Sequence, residues 1–580
     1  MRLILRYLHP LRRTIAFGLS VKVLATLLEL ALPYILSHIL DNVVPLGRVS
    51  YILVWGGAMI LCALGAFIGN VVANRNAAKV ARDASRCIRH DLFHATMHLT
   101  SRETDRFTIP SLESRLTSDT YNVHHFIGMM QRIGVRAPIL LFGGLAITLV
   151  LDWRLALVMI TVLPLLGLSV FLITKRGLPL YTQTQQAVDG MVRVVREDCQ
   201  GVRVIKALSR EDYERRRFDG ANRTLVARER KAGITMALSQ PLMSLFLNLG
   251  LVGVILLGAF LVNGGLSQPG RIIAFIQYFT LMSTAMTVIT RIFVQITKST
   301  ASANRIGEVL EAYASHGDAT GKAGLPEHPD EESFLVFDHV SFSYNGKRKN
   351  LSDVSFTLSR GKTLGVIGAT GSGKSTLIRL LMGFYAPDEG QIRIGGQDVT
   401  AYDEKKLHAL FGTVWQNDFI YADTVAENIR FGREINGDAV CRAARLAQAS
   451  EFIESFSDGY EHALTSKGTN LSGGQRQRVL IARALAGDPE ILVLDDSSSA
   501  LDYRTDANLR RAIREEMHAD GAGVTTVVVA QRVSSIMHAD LILVLEQGEI
   551  IGAGRHEELL QSCPTYREIS DSQMGGAFLE

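Results

Sequence analysis

Six stretches in the first half of the chain are almost wholly apolar, as a segment crossing a hydrocarbon core of about 20 residues must be. They are Ile15–Leu40, Tyr51–Val72, Ala137–Leu151, Leu155–Ile173, Ala237–Val262 and Ile272–Ile296. The third and fourth are separated only by Asp152, Trp153 and Arg154, which predicts a tight hairpin. The connections after the first, third and fifth stretches are short. Those after the second and fourth, 73–136 and 174–236, run to about 60 residues each. Periodic apolar positions continue through Val80–Leu99 and Ala187–Leu208, so helices are expected to extend well beyond the membrane. Each long connection is expected to break once, near Thr108-Ile109-Pro110 and near Ser209-Arg210-Glu211-Asp212.

Charge sorts with the connections. Nine Lys and Arg lie from Arg75 to Arg132 and fourteen from Lys175 to Lys231, against one in each short loop, Arg48, Arg154 and Arg271. Positive loops stay on the cytoplasmic side, so the N-terminus, both long loops and the second half of the chain are expected in the cytoplasm. A soluble protein with buried helices would not sort charge by loop parity. Inside the first stretch Glu29 stands seven residues after Lys22 on one helical face. Charge at that depth is costly, and the choice is between a polar cavity contact, an ion pair between helices and a place facing a water-filled vestibule. His90, His94 and His98 share a helix face, which fits a solvated loop helix better than a metal site.

Residues 1–310 carry 35 Lys and Arg against 18 Asp and Glu, while the remainder carries 26 against 39. At 580 residues, several times the usual domain size, two halves of opposite sign suggest two domains. The five cysteines lie far apart with no CxxC, which excludes a disulfide scaffold and a cysteine zinc site. A segment rich in Gly, Ala, His, Glu and Pro, 312–333, is expected to tether a membrane domain (1–311) to a second domain (334–580).

The second domain changes to short strands, Phe334–Val336 and Val354–Leu358, then a buried run Thr363–Ile367. Next come Gly368, Ala369, Thr370, Gly371, Ser372, Gly373, Lys374, Ser375 and Thr376, which match GxxxxGK[ST] between a strand and an apolar helix. Such a loop turns successive N–H groups toward phosphate oxygens. Lys374 would reach the β/γ-phosphates and Ser375 would ligate Mg²⁺. The apolar strand Ile491–Leu494 ends in Asp495 and Asp496, with Asp495 placed to hold Mg²⁺ and Asp496 to orient an attacking water.

Between these lies Leu471-Ser472-Gly473-Gly474-Gln475, followed by an arginine-rich helix. The run closely resembles the LSGGQ signature of ABC transporter ATPases, and the similarity extends over the whole chain to exporter-type half-transporters. The resemblance implies a multidomain membrane protein: an all-α six-helix transmembrane domain plus an α/β P-loop ATPase domain with a helical signature subdomain. It implies that Tyr344 stacks on adenine, that Gln416 is the Q-loop glutamine at the γ-phosphate and Mg²⁺, and that Ser499-Ala500-Leu501-Asp502 is the D-loop. It further implies ATP and Mg²⁺ as cofactors and a second half-transporter chain as partner, because Ser472, Gly473, Gly474 and Gln475 of one chain bind the ATP held by the other. The breaks near Pro110 and Arg210 match the family's coupling helices.

Two positions depart from the family pattern. The residue after Asp495 is usually Glu and is here Asp496; its carboxylate sits about 1–1.5 Å further from the water, a displacement able to cost on the order of 100-fold in rate. The switch residue, usually His before Arg532, is here Gln531, which offers no cation. The paired change resembles the degenerate-site subunit of a heterodimeric multidrug-type exporter. The alternatives are an active homodimer, an exporter-fold importer of siderophore type, and a mainly regulatory nucleotide-binding subunit. The expected cargo is a hydrophobic or amphipathic small molecule, lipid or peptide, and the expected location a bacterial plasma membrane. Six spans exclude a soluble repair-type ATPase, and no nucleic-acid partner is expected because the membrane explains the basic loops.

Overall fold

The computed structural model describes residues 1–315, 326, 329–497, 501–516 and 523–574. Most of the expected tether, 316–325 and 327–328, lies outside the described residues, as do Ser499 and Ala500 of the expected D-loop. The chain divides into two compact units, Met1–Leu99 with Phe107–Ser315, and Thr100–Arg106 with His316–Glu580.

The first unit is helical. Among the described residues six helices are long and apolar enough to cross a membrane; the first five fall in Arg2–Leu46, Val49–Met97, Ile109–Leu151, Trp153–Ala207 and Glu211–Asn263. The sixth opens Pro269–Ser315. Each ends where the sequence supplies a break. Gly47 adopts φ +66° after Pro45. Asp152 is extended and accepts the Arg154 N–H at 3.0 Å, capping the next helix and closing the hairpin. Ser209 lies in the left-handed region at φ +50°. Helices of 49 and 55 residues are about 73 and 82 Å long, more than twice the core thickness. Small residues let helices approach: a Cβ on Gly69 would come within 2.9 Å of Ala25, and one on Gly250 within 2.5 Å of Phe279.

Polar groups settle the choice left open at Glu29. It pairs with Arg136 through two hydrogen bonds, 3.1 and 2.5 Å, between different helices. Lys22 does not pair with it; its ammonium donates to Asn70 (2.7 Å) and Asn74 (3.3 Å). His94 and His98 stack on each other at 4.2 Å and against Tyr313, and no metal-holding cluster of three or more His, Cys, Asp or Glu occurs among the described residues.

The second unit is built on two sheets. The smaller runs β2-β1-β4-β5, with β1 Leu335–Phe342, β2 Leu351–Leu358, β4 Glu389–Ile394 and β5 Gln397–Asp398. The larger runs β10-β9-β3-β8-β7-β6, with β3 Thr363–Gly368, β6 Phe411–Val414, β7 Ile491–Asp495, β8 Thr525–Val529, β9 Leu541–Glu546 and β10 Glu549–Gly554. All pairings in it are parallel except β9–β10. Every residue of β7 and β8 is buried, which explains their unbroken apolar runs. β1 and β2 are longer than the sequence suggested because exposed Asp338 pairs with Gln391 and β2 already begins at Leu351, opposite Phe342. Thr100–Arg106 packs within this unit, where the Tyr385 hydroxyl donates to Asp105.

Beyond the apolar runs of the first unit, Asp119 is buried and accepts from Ser302 (2.8 Å) and Arg305 Nε (2.7 Å), tying the third helix to the sixth. Asp119→Ala would leave buried Ser302 without its acceptor and half-exposed Arg305 without its carboxylate, and should destabilise the unit by about 1–2 kcal/mol. The check is a lower apparent Tm for the purified full chain in detergent; an unchanged Tm would show that the contact contributes little.

Candidate functional site

Four adjacent strands of the larger sheet end at one cleft. The order β3-β8-β7-β6 places the P-loop after β3, Gln531 two residues after β8, Asp495 at the end of β7 and Gln416 two residues after β6. Parallel strands all present the same end, so residues 368, 531, 495 and 416, remote in sequence, meet on one edge. The cleft has a volume near 220 Å³ and is lined by Thr370, Gly371, Gly373, Lys374, Ser375 and Thr376, with Gln416, Asp495, Asp496 and Gln531 opposite. Gly368 and Ala369 line a neighbouring cavity of about 390 Å³, which Gln531 also borders.

The loop's glycines have a specific task. Gly373 has φ +109°, and a Cβ there would meet Leu351 at 2.7 Å and the Asn350 carbonyl at 2.9 Å. That tight passage delivers the chain into the helix Lys374–Leu381, whose N-terminal N–H groups favour anions. Lys374 donates to the carbonyls of Gly368 (2.7 Å) and Ala369 (2.8 Å), and burial lowers its pKa against the opposing pull of Asp495 and Asp496. Ser372 Oγ is buried with no hydrogen-bond partner, an orphaned group inside a loop shaped to receive acceptor oxygens. The donors, the cation and the positive helix end fit a nucleotide phosphate chain.

Asp495 is buried, and Ser375 Oγ lies 3.3 Å from its Oδ2. A hydroxyl beside a carboxylate is a hard-oxygen pair suited to Mg²⁺, and Gln416 borders the same cleft. These residues would hold the ion together with phosphate oxygens. When bound, Mg²⁺ would neutralise charge on the phosphates. Burial raises the Asp495 carboxyl above the usual range, partly offset by its Ser375 hydrogen bond.

Asp496 leaves the strand in the left-handed region, φ +51°, with its N–H bonded to the Val529 carbonyl at 2.9 Å. Asp tolerates that conformation better than most residues. Gln531 Nε2 donates to Asp496 Oδ2 at 2.9 Å, so the two residues that depart from the family pattern touch each other. Burial raises the Asp496 carboxyl as well, while Lys374, Arg532 and Gln531 pull it down.

Other expected residues lie elsewhere. Tyr344 does not line the cleft; its ring packs against Phe342 and Tyr385, and its hydroxyl reaches Thr376 at 3.4 Å and accepts from Arg379 at 3.1 Å. Ser472, Gly473, Gly474 and Gln475 are absent from the lining. Ser472 caps the helix Gly473–Leu485 in a reciprocal box: its hydroxyl accepts from Gln475 N–H (3.3 Å) and its N–H donates to the Gln475 side chain (2.9 Å). That cap starts the helix three residues earlier than the arginine run suggested. Asp502 is exposed and accepts from Thr505 N–H (2.9 Å) and hydroxyl (2.8 Å), which lowers its pKa.

Sequence reasoning missed Asn350, which lines the cleft, and Gln573, which brackets the switch segment. Gln573 donates to the Gln531 carbonyl (2.8 Å) and accepts from Val533 N–H (2.7 Å). Neither stands in a motif; only tertiary folding brings them there.

A phosphate-shaped loop, an oxygen pair for Mg²⁺ and a capped signature helix, fused to six membrane helices, define a membrane transport ATPase. The chain belongs to the ABC transporter family. Residues 15–286 match the ABC transporter transmembrane region and residues 351–499 the ABC transporter model. It is 33% identical to an uncharacterized ABC transporter ATP-binding protein of Mycobacterium tuberculosis, covering 98% of both chains. It is equally 33% identical to the ABC transporter ATP-binding protein YfiB of Bacillus subtilis, again covering 98% of each. Among solved structures it is similar to a bacterial Atm1-family ABC exporter with ATP bound, with a TM-score of 0.77, 26% identity, and 97% of this chain and 98% of that one covered. The protein is thus a multi-pass, exporter-type half-transporter with an ATP-binding domain.

The raised Asp495 carboxyl gives a pH prediction. As the solution is acidified, Mg²⁺-dependent nucleotide binding should weaken at a pH above the ordinary carboxylate pKa of about 4, because the protonated carboxyl cannot serve as a ligand. Titrating a fluorescent ATP analogue against the full chain with and without Mg²⁺ reads this directly. Asp495→Asn should abolish the Mg²⁺-dependent increment; an increment that survives would remove Asp495 from the metal site.

Proposed function

We propose that this chain is one half of a heterodimeric exporter, in which its own Walker site hydrolyses ATP weakly and its signature completes a competent site on a different partner chain. ATP would close two nucleotide-binding domains head to tail, and that closure would drive alternating access of the membrane helices. The observation that carries the reading is the 2.9 Å hydrogen bond from Gln531 to Asp496. An Asp at the base position falls about a methylene short of the water that a Glu would reach, and such misplacement costs on the order of 100-fold. The Gln531 amide then occupies one oxygen of that carboxylate and supplies neither a cation nor a titratable proton. Both changes act on the same proton acceptor.

The signature adds a second support. Ser472 and its glycines stand on a well-formed helix end that does not border this chain's own cleft, so their phosphate would have to come from another chain. Lys374, Ser375 and Asp495 retain what nucleotide and Mg²⁺ binding needs, which favours a site that binds ATP and turns it over slowly. The proposed setting is a bacterial plasma membrane with the ATP-binding domain in the cytoplasm, and the cargo an amphipathic compound.

Replacing Asp496 by Glu together with Gln531 by His should raise the ATPase rate of the chain alone in lipid by about 10- to 100-fold. The single variants should gain less, because each leaves one half of the contact in place. A double variant no faster than the parent, with nucleotide binding intact, would locate the missing chemistry elsewhere.

A further inference from the structure

The third membrane helix is short of apolar residues. Its continuous apolar run, Ala137–Leu151, has fifteen residues, or about 22 Å at 1.5 Å each, against a hydrocarbon core of about 30 Å. Asp152 ends the helix on the far side, so the missing length must be drawn from the preceding turns. Those turns carry Arg136 and Arg132.

The first helix gives a separate measure of depth. Asn76 donates to the Thr14 carbonyl at 3.1 Å, which levels the second helix with the start of the first apolar run. Lys22 lies eight residues beyond Thr14 and Glu29 fifteen, or about 12 and 22 Å further along the helix. Counted inward from Leu151, Arg136 lies about 8 Å inside the inner boundary and Arg132 about 2 Å. Arg136 and Glu29 thus fall in the hydrocarbon core, Lys22 on the inner side of Glu29 and Arg132 at the inner boundary, and Arg132, Arg136 and Glu29 all act electrostatically on Lys22.

The charges do not balance. Glu29 is taken by Arg136. Lys22 is 4% exposed, and its partners are two neutral amides, Asn70 and Asn74. Arg132 donates to the Gly128 carbonyl at 3.0 Å. Among the described residues neither Lys22 nor Arg132 is paired with a carboxylate. Arg132 also sits in a widened helical turn, Met130–Gly134, like the turns Arg115–Asp119 and Ile139–Gly143 of the same region. A surplus cation inside the membrane with a second at its inner boundary is costly unless an anion meets them.

We propose that Lys22, Arg132 and Arg136, on the first and third membrane helices, form an anion-binding subsite for the transported molecule, which is an amphipathic compound bearing a carboxylate or phosphate. The inference rests on the transporter reading above for its premise that the membrane domain receives a cargo. Asn70 and Asn74 hold the Lys22 ammonium in place, and Glu29 limits the net charge of the subsite to two. The anionic group would select among cargoes of similar size.

The test uses the full chain in phosphatidylcholine nanodiscs without ATP. The probes are dansyl-glutamate, an amphipathic dicarboxylate, and dansylcadaverine, a cation with the same fluorophore. Dansyl-glutamate should bind at least 10-fold more tightly. Lys22→Gln and Arg132→Gln should each weaken it about 5- to 10-fold, in protein that still binds a fluorescent ATP analogue. Glu29→Gln should tighten it several-fold, a gain that misfolding cannot produce. Repeating the titration with phosphatidylglycerol in the disc separates the two sources of anion: displacement of the probe assigns the subsite to a lipid headgroup, and its persistence to a soluble anion. Equal binding of the two probes, or no change in Glu29→Gln, overturns the proposal. Because no ATP is present, that failure is distinct from any failure of the heterodimer reading, which shows only in ATPase rates.

Discussion

The parallel register of β3, β8, β7 and β6 is the constraint on which the ATP-binding half depends. Hydrogen bonding between β3 and β8 aligns Val366 with Val529, and that between β8 and β7 aligns Val529 with Asp495. A slip of one residue in any ladder would move Lys374, Gln531 or Asp495 by about 3.3 Å and turn its side chain to the other face. The fully buried apolar strands prevent that slip, because every side chain would lose its place on both faces. The site's precision therefore comes from residues such as Ile491–Leu494 and Thr525–Val528, which touch no nucleotide.

On that frame the chemistry divides into binding and cleavage. In the proposed reading, Lys374, the glycines and the Ser375–Asp495 pair would supply phosphate and metal binding from backbone and side chains that keep the family pattern. Asp496 and Gln531 would be the groups nearest the attacking water, and both differ from that pattern. Their contact explains why the two differences occur together: Gln531 donates to the carboxylate that Asp496 presents from a left-handed backbone. Ser472, whose cap is complete, does not border this chain's own cleft.

Much of this was legible because it is local. Six apolar runs, the loop parity of charge, GxxxxGK[ST] and LSGGQ each encode a structure within a few residues, and the corresponding helices, turns and cap are present. What was not legible depends on distance in sequence. Glu29 and Arg136 are 107 positions apart, and the first helix alone offered Lys22 as the nearer partner. Asn350 and Gln573 reach the nucleotide cleft and switch segment from a strand end and a late helix with no pattern of their own. Tyr344 stands at the expected place in the chain, and its edge-on packing against Phe342 and Tyr385 is set by the smaller sheet. The short third span was legible as a length deficit, and the deficit has a physical reading only once Arg132 and Arg136 are seen beside Lys22.

The central claim is that ATP binding and ATP cleavage have been separated in this chain. ATP turnover by the purified chain alone in lipid, compared with its Asp496→Asn variant at saturating Mg²⁺-ATP, tests it most directly. The account predicts measurable nucleotide binding with turnover that is negligible in both proteins. Robust turnover by the parent chain that disappears in Asp496→Asn would make Asp496 a working base and contradict it.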